Sequence, residues 1–317
     1  MTSKYVNEKN EIVTQLTNVN LPIDQAEVVA DCFATADEWG VTSHGIRILP
    51  SHIDKVLRGG YNLKPNLRIL RQTGAFTLVD GDNSFGPVSA NFCMNIAVEK
   101  AKEFGIHHVF SRNNNTFGPA FYYPLKAAEK GLIGIIFSNS PAQMAPIGGK
   151  SKMLGTNPFA AVVPIPHSDP IVIDMATSIV AKSKFKQYKE LGMQLPDGWA
   201  LDENGIPTND PEEGMKGFVL PMAGFKGYSI AMLIDILSGL VSGAAYLNKV
   251  GRFYSTDNTP MNVGFCCIAI DPKLILGDDY DNAITEFVNL LRNSEPVGDS
   301  PIAIPGDDRI AYLKSKA

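Results

Sequence analysis

A cationic surplus is the first thing this chain lacks. Its 28 Lys and Arg residues are outnumbered by 33 Asp and Glu, for a formal charge of −5 and a pI near 5.6. A nucleic-acid binder needs a basic face, so that class of partner is not expected. Cysteine is scarce: Cys32, Cys93, Cys266 and Cys267 show no metal-ligand spacing, and two of them are adjacent. That pattern speaks against a metal centre and a disulfide framework and predicts the reduced thiols of a cytoplasmic protein. Long apolar runs are missing too; Ile230 to Val241 is broken by Asp235, Ser238 and Gly239, so no membrane span is expected. The segment Met1 to Glu8 carries no apolar leader. Neither Gly-x-Gly-x-x-Gly nor Gly-x-x-x-x-Gly-Lys-Ser/Thr occurs, so the two familiar phosphate loops are absent. There is no internal repeat and no low-complexity tract.

What is present is ordinary globular material, 44% hydrophobic and 19% charged, in 317 residues. That length suffices for a large core and two lobes. Helical spacing of apolar residues predicts helices over Val6–Thr17, Ile23–Trp39 and about Ser43–Leu57, with Gly59-Gly60 as the last one's stop. Short apolar runs at Leu67–Leu70 and Phe76–Val79 suit paired strands, followed by a helix over Gly86–Phe104. Strands at His108–Phe110, Leu132–Phe137, Phe159–Ile165 and Ile171–Ile173 then alternate with helices at Pro119–Lys130 and Thr177–Leu191. Such alternation predicts an α/β fold with a mixed, partly parallel sheet. Residues 192–224 read as a long ordered loop of functional weight, before a helix over Lys226–Leu240, a strand over Phe265–Ile270 and a helix over Asn282–Asn293.

The segment richest in chemistry is Asp37-Glu38-Trp39-Gly40-Val41-Thr42-Ser43-His44-Gly45, with Arg47 following. Only histidine has an unperturbed pKa near working pH, so His44 can give and take a proton there. A hydroxyl, an imidazole and a guanidinium this close suit a small anionic substrate. Taken alone, a histidine near a helix start is more often a solvated or capping residue. Further along stand Gly148-Gly149-Lys150 and Gly155-Thr156-Asn157-Pro158, two turns whose backbone N–H groups suit an anion as well as they suit plain β-turns. Asp174-Met175-Ala176-Thr177-Ser178 ends a strand and opens a helix, where the two hydroxyls suit either capping or a phosphate. In Gly224-Phe225-Lys226-Gly227, Lys226 stands at a helix N-terminus, a place the helix dipole disfavours unless an anion sits between.

Together these segments resemble the type-2 malate/L-lactate dehydrogenase family, whose relatives include 2,3-diketogulonate reductase and ureidoglycolate dehydrogenase. The resemblance runs over roughly residues 20–310, with the motifs in the expected order, and takes in Pro196-Asp197-Gly198-Trp199-Ala200 and Thr208-Asn209-Asp210-Pro211 as structural segments. It implies a family-specific α/β fold that is not a doubly wound Rossmann domain. A largely helical substrate and dimer lobe, residues 1–75 with about 245–317, accompanies a nicotinamide-binding lobe over about 76–244. It further implies a homodimer, NAD or NADP as cofactor, no metal, and interconversion of a 2-keto acid with a 2-hydroxy acid. His44 is the implied proton donor and acceptor, with Ser43 beside it in the catalytic pair as a hydrogen-bond partner to substrate. Arg47, Asn115 and Thr116 are the implied substrate-binding residues. Ser140, Gly155, Thr156, Asn157, Asp174, Met175, Ala176, Thr177, Ser178, Phe225, Lys226 and Gly306 are implied for the cofactor.

Two positions depart from the family pattern. The family's arginine stands four residues after the histidine, where this chain has Ile48; Arg47 lies one residue earlier, a turn of about 100° on a helix. In Asn113-Asn114-Asn115-Thr116-Phe117-Gly118, Thr116 replaces a second histidine, and threonine cannot take a proton at neutral pH. The chain also stops sooner after Ile304-Pro305-Gly306 than members usually do, so terminal helices are expected to be missing. Two rival readings stay open: a nucleotide-binding module with lost or altered catalysis, and a hydrolase using Ser43 and His44. The second is disfavoured because neighbours on a helix point apart.

Overall fold

The computed structural model describes residues 3–256 and 258–316. Helices α1 (Ser3–Asn18) and α2 (Ile23–Glu38) pack on each other, followed by α3 (Leu49–Leu57). Then come β1 (Arg68–Gln72), β2 (Phe76–Asp80), α4 (Gly86–Phe104), β3 (Ile106–Asn114), α5 (Tyr122–Ala128), β4 (Ile133–Ser138), β5 (Phe159–Val163) and β6 (Ile171–Met175). Next are α6 (Ser183–Glu190), β7 (Ala200–Leu201), β8 (Pro207–Thr208), α7 (Pro211–Lys216), β9 (Phe218–Val219) and α8 (Phe225–Asp235). The chain closes with β10 (Val263–Ile270), α9 (Pro272–Leu276), α10 (Asp279–Arg292) and α11 (Asp307–Lys314).

Seven strands form one mixed sheet in the order β1-β2-β3-β10-β4-β5-β6. Only β2 and β3 run parallel; every other neighbouring pair is antiparallel. β10 lies in the middle, with Cys266 opposite Phe110 on one side and Phe137 on the other. Its sequence, Val-Gly-Phe-Cys-Cys-Ile-Ala-Ile, is the unbroken apolar run that a strand buried on both faces requires. Alternation then sorts its side chains: Phe265, Cys267 and Ala269 join the main core beneath α4 and α5, while Cys266 joins Phe137 and Ile234 beneath α8. All four cysteines are buried and free, and burial pushes each thiol pKa up, so none is a ready nucleophile.

Several sequence expectations need correcting. No helix begins at Ser43: two 3₁₀ turns, Thr42–His44 and Ile46–Ile48, precede α3, because Gly45 between them is extended (φ −94°, ψ −151°). The helix expected from Thr177 starts at Ser183, since residues 177–179 are held by neighbouring segments through Thr177 N–H to Thr156 and Ile179 N–H to Leu220. Residues 192–224 carry structure of their own, a small sheet ordered β8-β7-β9 plus α7. The helix from Lys226 is α-helical only to Asp235 and continues as a wider π turn over Ile236–Val241. A short helix, α11, follows Gly306, where local periodicity placed no element. Among the described residues no helix is long and apolar enough to cross a membrane, and no group of three or more His, Cys, Asp and Glu is placed to hold a metal.

Candidate active site at the end of the second helix

α2 buries its last turn, and Asp37 with it. The Asp37 carboxylate accepts the Ile46 N–H at 2.7 Å, folding the chain back over the helix end, with Ser43 and His44 in a 3₁₀ turn and not an α-helix. His44 is half-buried and Ser43 exposed. In the 3₁₀ turn the Ser43 Oγ lies 2.9 Å from His44 Nδ1, so the expectation that these neighbours point apart is wrong. Among the described residues no hydrogen bond reaches His44 Nε2. Burial holds the imidazole pKa below the ordinary histidine value; the Asp174 carboxylate pulls it up and the Arg309 guanidinium pushes it down.

Those two charges meet. Arg309 Nη1 donates to Asp174 Oδ2 at 2.6 Å, and the guanidinium lies over the Phe121 ring, 5.2 Å from its centre. Asp174 sits near the end of β6 and Arg309 on α11, 135 residues apart in the chain. Sequence reasoning singled out Asp174 and missed Arg309, because a charged residue in the first turns of a short helix carries no local sign of its partner.

The remaining cofactor candidates are stitched into one cluster. The Ser140 N–H donates to Asn157 Oδ1 at 3.0 Å, and Asn157 Nδ2 donates to the Ala231 carbonyl of α8 at 2.8 Å. The Thr156 carbonyl accepts both the Thr177 N–H, at 2.9 Å, and the Thr177 hydroxyl, at 3.0 Å. The Thr177 carbonyl in turn accepts the Met222 N–H at 2.9 Å. Two glycines let these backbones touch: a Cβ on Gly155 would stand 2.2 Å from the Ser140 carbonyl oxygen, and one on Gly227 2.3 Å from that of Met222. The Ser178 hydroxyl donates to the Val180 carbonyl at 2.7 Å, so neither it nor Thr177 caps a helix. Phe225 and Lys226 stand exposed at the start of α8, Phe225 with 67% of its surface open. Met175 is exposed and Ala176 half-buried beside them. Gly306 packs on Val172 of β6 and opens α11. The backbone N–H groups of this cluster are spent within it; what suits a phosphate-bearing dinucleotide is Lys226, exposed beside the cluster at a helix N-terminus. Lys150, by contrast, is exposed in its turn, with its Cβ facing Gly205.

Of the substrate candidates, Arg47 is exposed and Ile48 half-buried. Asn115 is fully buried, and its Nδ2 donates to the Asn83 carbonyl, the Asn83 side-chain oxygen and the Ser84 carbonyl at 3.2, 2.9 and 2.9 Å. It clamps the turn ahead of α4. Thr116 is half-buried, and the next two residues pack on α2: the Phe117 carbonyl lies 3.8 Å from the Cys32 sulfur, and Gly118 faces Phe33. Both this turn and the His44 turn are therefore set by the same helix.

The chain matches the family described as malate/L-lactate dehydrogenase over residues 4–317. It belongs to that family. It is 38% identical over 292 residues to the malate dehydrogenase of Pyrococcus abyssi, covering 89% of this chain and 80% of that one. The ureidoglycolate dehydrogenase (NAD(+)) of Escherichia coli K12 is 30% identical over 300 residues, 94% of this chain and 85% of its own. Among solved structures, the sulfolactate dehydrogenase of Methanocaldococcus jannaschii superposes with a TM-score of 0.92 at 35% identity, over 99% of this chain and 91% of that one.

Proposed function

We propose that this chain is an NAD- or NADP-dependent oxidoreductase that interconverts a 2-keto acid and its 2-hydroxy acid, with malate or lactate the default substrate. The observation that carries the reading is His44 itself: a half-buried imidazole with Nδ1 on Ser43 and, among the described residues, no hydrogen bond at Nε2, in the field of Asp174 and Arg309. The names of the relatives, which act on malate, sulfolactate and ureidoglycolate, support the same class. A nicotinamide cofactor, when bound, would supply the hydride. Reduction of the carbonyl carbon leaves an alkoxide on its oxygen, and the His44 imidazolium delivers the proton that neutralises it. In oxidation the neutral imidazole takes that proton back. Ser43 holds the ring through Nδ1, and Lys226 is assigned to a cofactor phosphate, with Ser140, residues 155–157 and 174–178, Phe225 and Gly306 around it. Thr116 and Asn115 are assigned to the substrate side, and Arg47 keeps only a peripheral place there.

The division into a cofactor lobe over about 76–244 and a substrate lobe from the two chain ends belongs to this reading, with β10 joining the two in one sheet. So do a cytoplasmic location and a homodimer. The dimer is supported by α8 and the π turn, which turn Ala231, Ser238 and Gly239 inward while Leu233, Leu240 and Val241 stay 55%, 55% and 50% exposed. Apolar side chains aligned this way mark a contact surface. A Leu233→Glu variant should then elute as a monomer.

The test is a panel of 2-keto acids followed by loss of NADH or NADPH absorbance, paired with fluorescence titration of each cofactor. Turnover of one keto acid with His44 intact supports the reading. Tight cofactor binding with no turnover of any acid favours a member whose catalysis was lost at Thr116 and Ile48. No cofactor binding returns Ser43 and His44, which do touch, to the hydrolase reading.

A further inference from the structure

We propose that Arg309, on the last helix, binds the carboxylate of the 2-keto acid beside His44; the proposal rests on the dehydrogenase reading above. Three contacts bring α11 to the site. The Pro305 carbonyl accepts the Val172 N–H of β6 at 2.9 Å, so the start of the helix is laced to the sheet. Ile310 is buried in the main core. The Tyr312 ring rests on Gly40, with a ring carbon 3.0 Å from where a Cβ would stand, just ahead of the Ser43–His44 turn. Arg309 stands three residues before Tyr312, on the same side of α11 as the ring that meets Gly40.

Its guanidinium is fixed but not used up. Phe121 covers one face and Asp174 takes Nη1, and among the described residues no other hydrogen bond reaches the group. A guanidinium carries five N–H donors in a planar fork, so one edge stays open to a second planar anion. The side chain is 22% exposed, which leaves that edge reachable while the stem is held. A carboxylate matches such an edge in two parallel hydrogen bonds. Neither Arg47, which is exposed, nor the apolar Ile48 offers a half-buried cation for that task. Because the Asp174–Arg309 pair is neutral in sum, a carboxylate docking there adds net negative charge near His44. That favours the imidazolium, the form that reduction consumes.

The experiment compares wild type, Arg309→Gln and Arg309→Lys on the best keto acid and on its primary amide, with NADH or NADPH affinity measured by fluorescence. Loss of one charged, paired interaction corresponds to about 10–100-fold in affinity. Wild type should prefer the acid to the amide by about that factor. Arg309→Gln should raise KM for the acid by the same factor, leave the amide's kcat/KM unchanged, and leave cofactor Kd within about two-fold. Arg309→Lys should recover part of the preference. If acid and amide fall together, or if cofactor affinity falls while the acid preference persists, Arg309 serves only to hold Asp174 and the inference is overturned. Should Arg309→Gln fail to fold, Arg309→Lys decides on the same ratio. A wild type that turns over no keto acid removes the dehydrogenase reading and the inference with it; a wild type that turns over while Arg309 variants keep its preference removes the inference alone.

Discussion

The Asp37 carboxylate accepts the backbone N–H of Ile46 at 2.7 Å and fills the space beside Gly45, where a Cβ would stand 2.1 Å from the carboxylate atoms. This pair replaces the helix that the sequence suggests from Ser43 onward, and it sets the turn that carries His44. Asp37→Ala should leave the Ile46 N–H without its charged acceptor, at a cost of about 1–3 kcal/mol in stability. Chemical denaturation measures that cost, and kcat should fall with it because the His44 turn loosens. Asp37→Asn retains an acceptor oxygen and should recover most of both. Equal losses in the two variants would mean that the carboxylate acts through something other than this hydrogen bond.

His44 should serve both directions of the reaction, since threonine occupies position 116. Reduction needs the imidazolium and oxidation the neutral ring. Burial lowers the His44 pKa, so kcat/KM for reduction should fall, and that for oxidation rise, through a single ionisation below the ordinary histidine value of about 6.5. His44→Asn should slow turnover by about 10²–10⁴ while cofactor Kd stays within a few-fold. Thr116→His should add a second ionisation to the profile. A bell-shaped wild-type profile near neutrality would reveal another acid–base group and would falsify the single-histidine mechanism.

Lys226 should matter to the cofactor and not to folding, because it stands exposed at the start of α8. Lys226→Ala should raise cofactor Kd with little change in Tm. The difference from wild type should shrink as salt rises, since a phosphate contact at an exposed position is screened. A Kd that does not move would make Lys226 a surface residue.

Asp31 ties three helices together. Tyr122 of α5 donates to it at 2.5 Å, the Tyr5 hydroxyl of α1 donates as well, and Lys126 and Lys9 pair with it at 3.3 and 3.2 Å. Burial alone would raise its pKa; the two hydroxyls and two ammonium groups more than offset this and hold it at about 2. The folded value lies below the unfolded value of about 3.9. Its contribution, about 2 kcal/mol, is thus fully present above about pH 4 and lost as pH falls toward 2. Asp31→Asn should reduce stability by about that amount at neutral pH and flatten the decline in acid. Urea midpoints across that range test both.

The chemistry-bearing segments were legible only as a set. Ser43-His44-Gly45, Gly155-Thr156-Asn157-Pro158, Asp174 to Ser178 and Gly224 to Gly227 are short, and each alone allowed a plain structural reading; their order along the chain carried the resemblance. The apolar run of β10 was legible as a strand from local pattern over Phe265–Ile270. Local pattern did not reveal that this strand lies between β3 and β4, since strand order depends on pairing between segments far apart in the chain. Nor did it reveal that Ser43 and His44 touch, which required the Asp37 carboxylate to break the helical repeat. The fit of Gly155 against Ser140 and of Gly227 against Met222 likewise exists only once distant backbones meet. Arg309 is the clearest case: a helix start on its own, it acquires Asp174, Phe121 and a place near His44 only through folding. Composition and local periodicity determined that the chain is an α/β globular protein, and the short motifs, through the resemblance they carry, named the residues worth watching. Long-range packing decided which of them meet, because the pairing of segments across 135 residues leaves no trace in the spacing of either one.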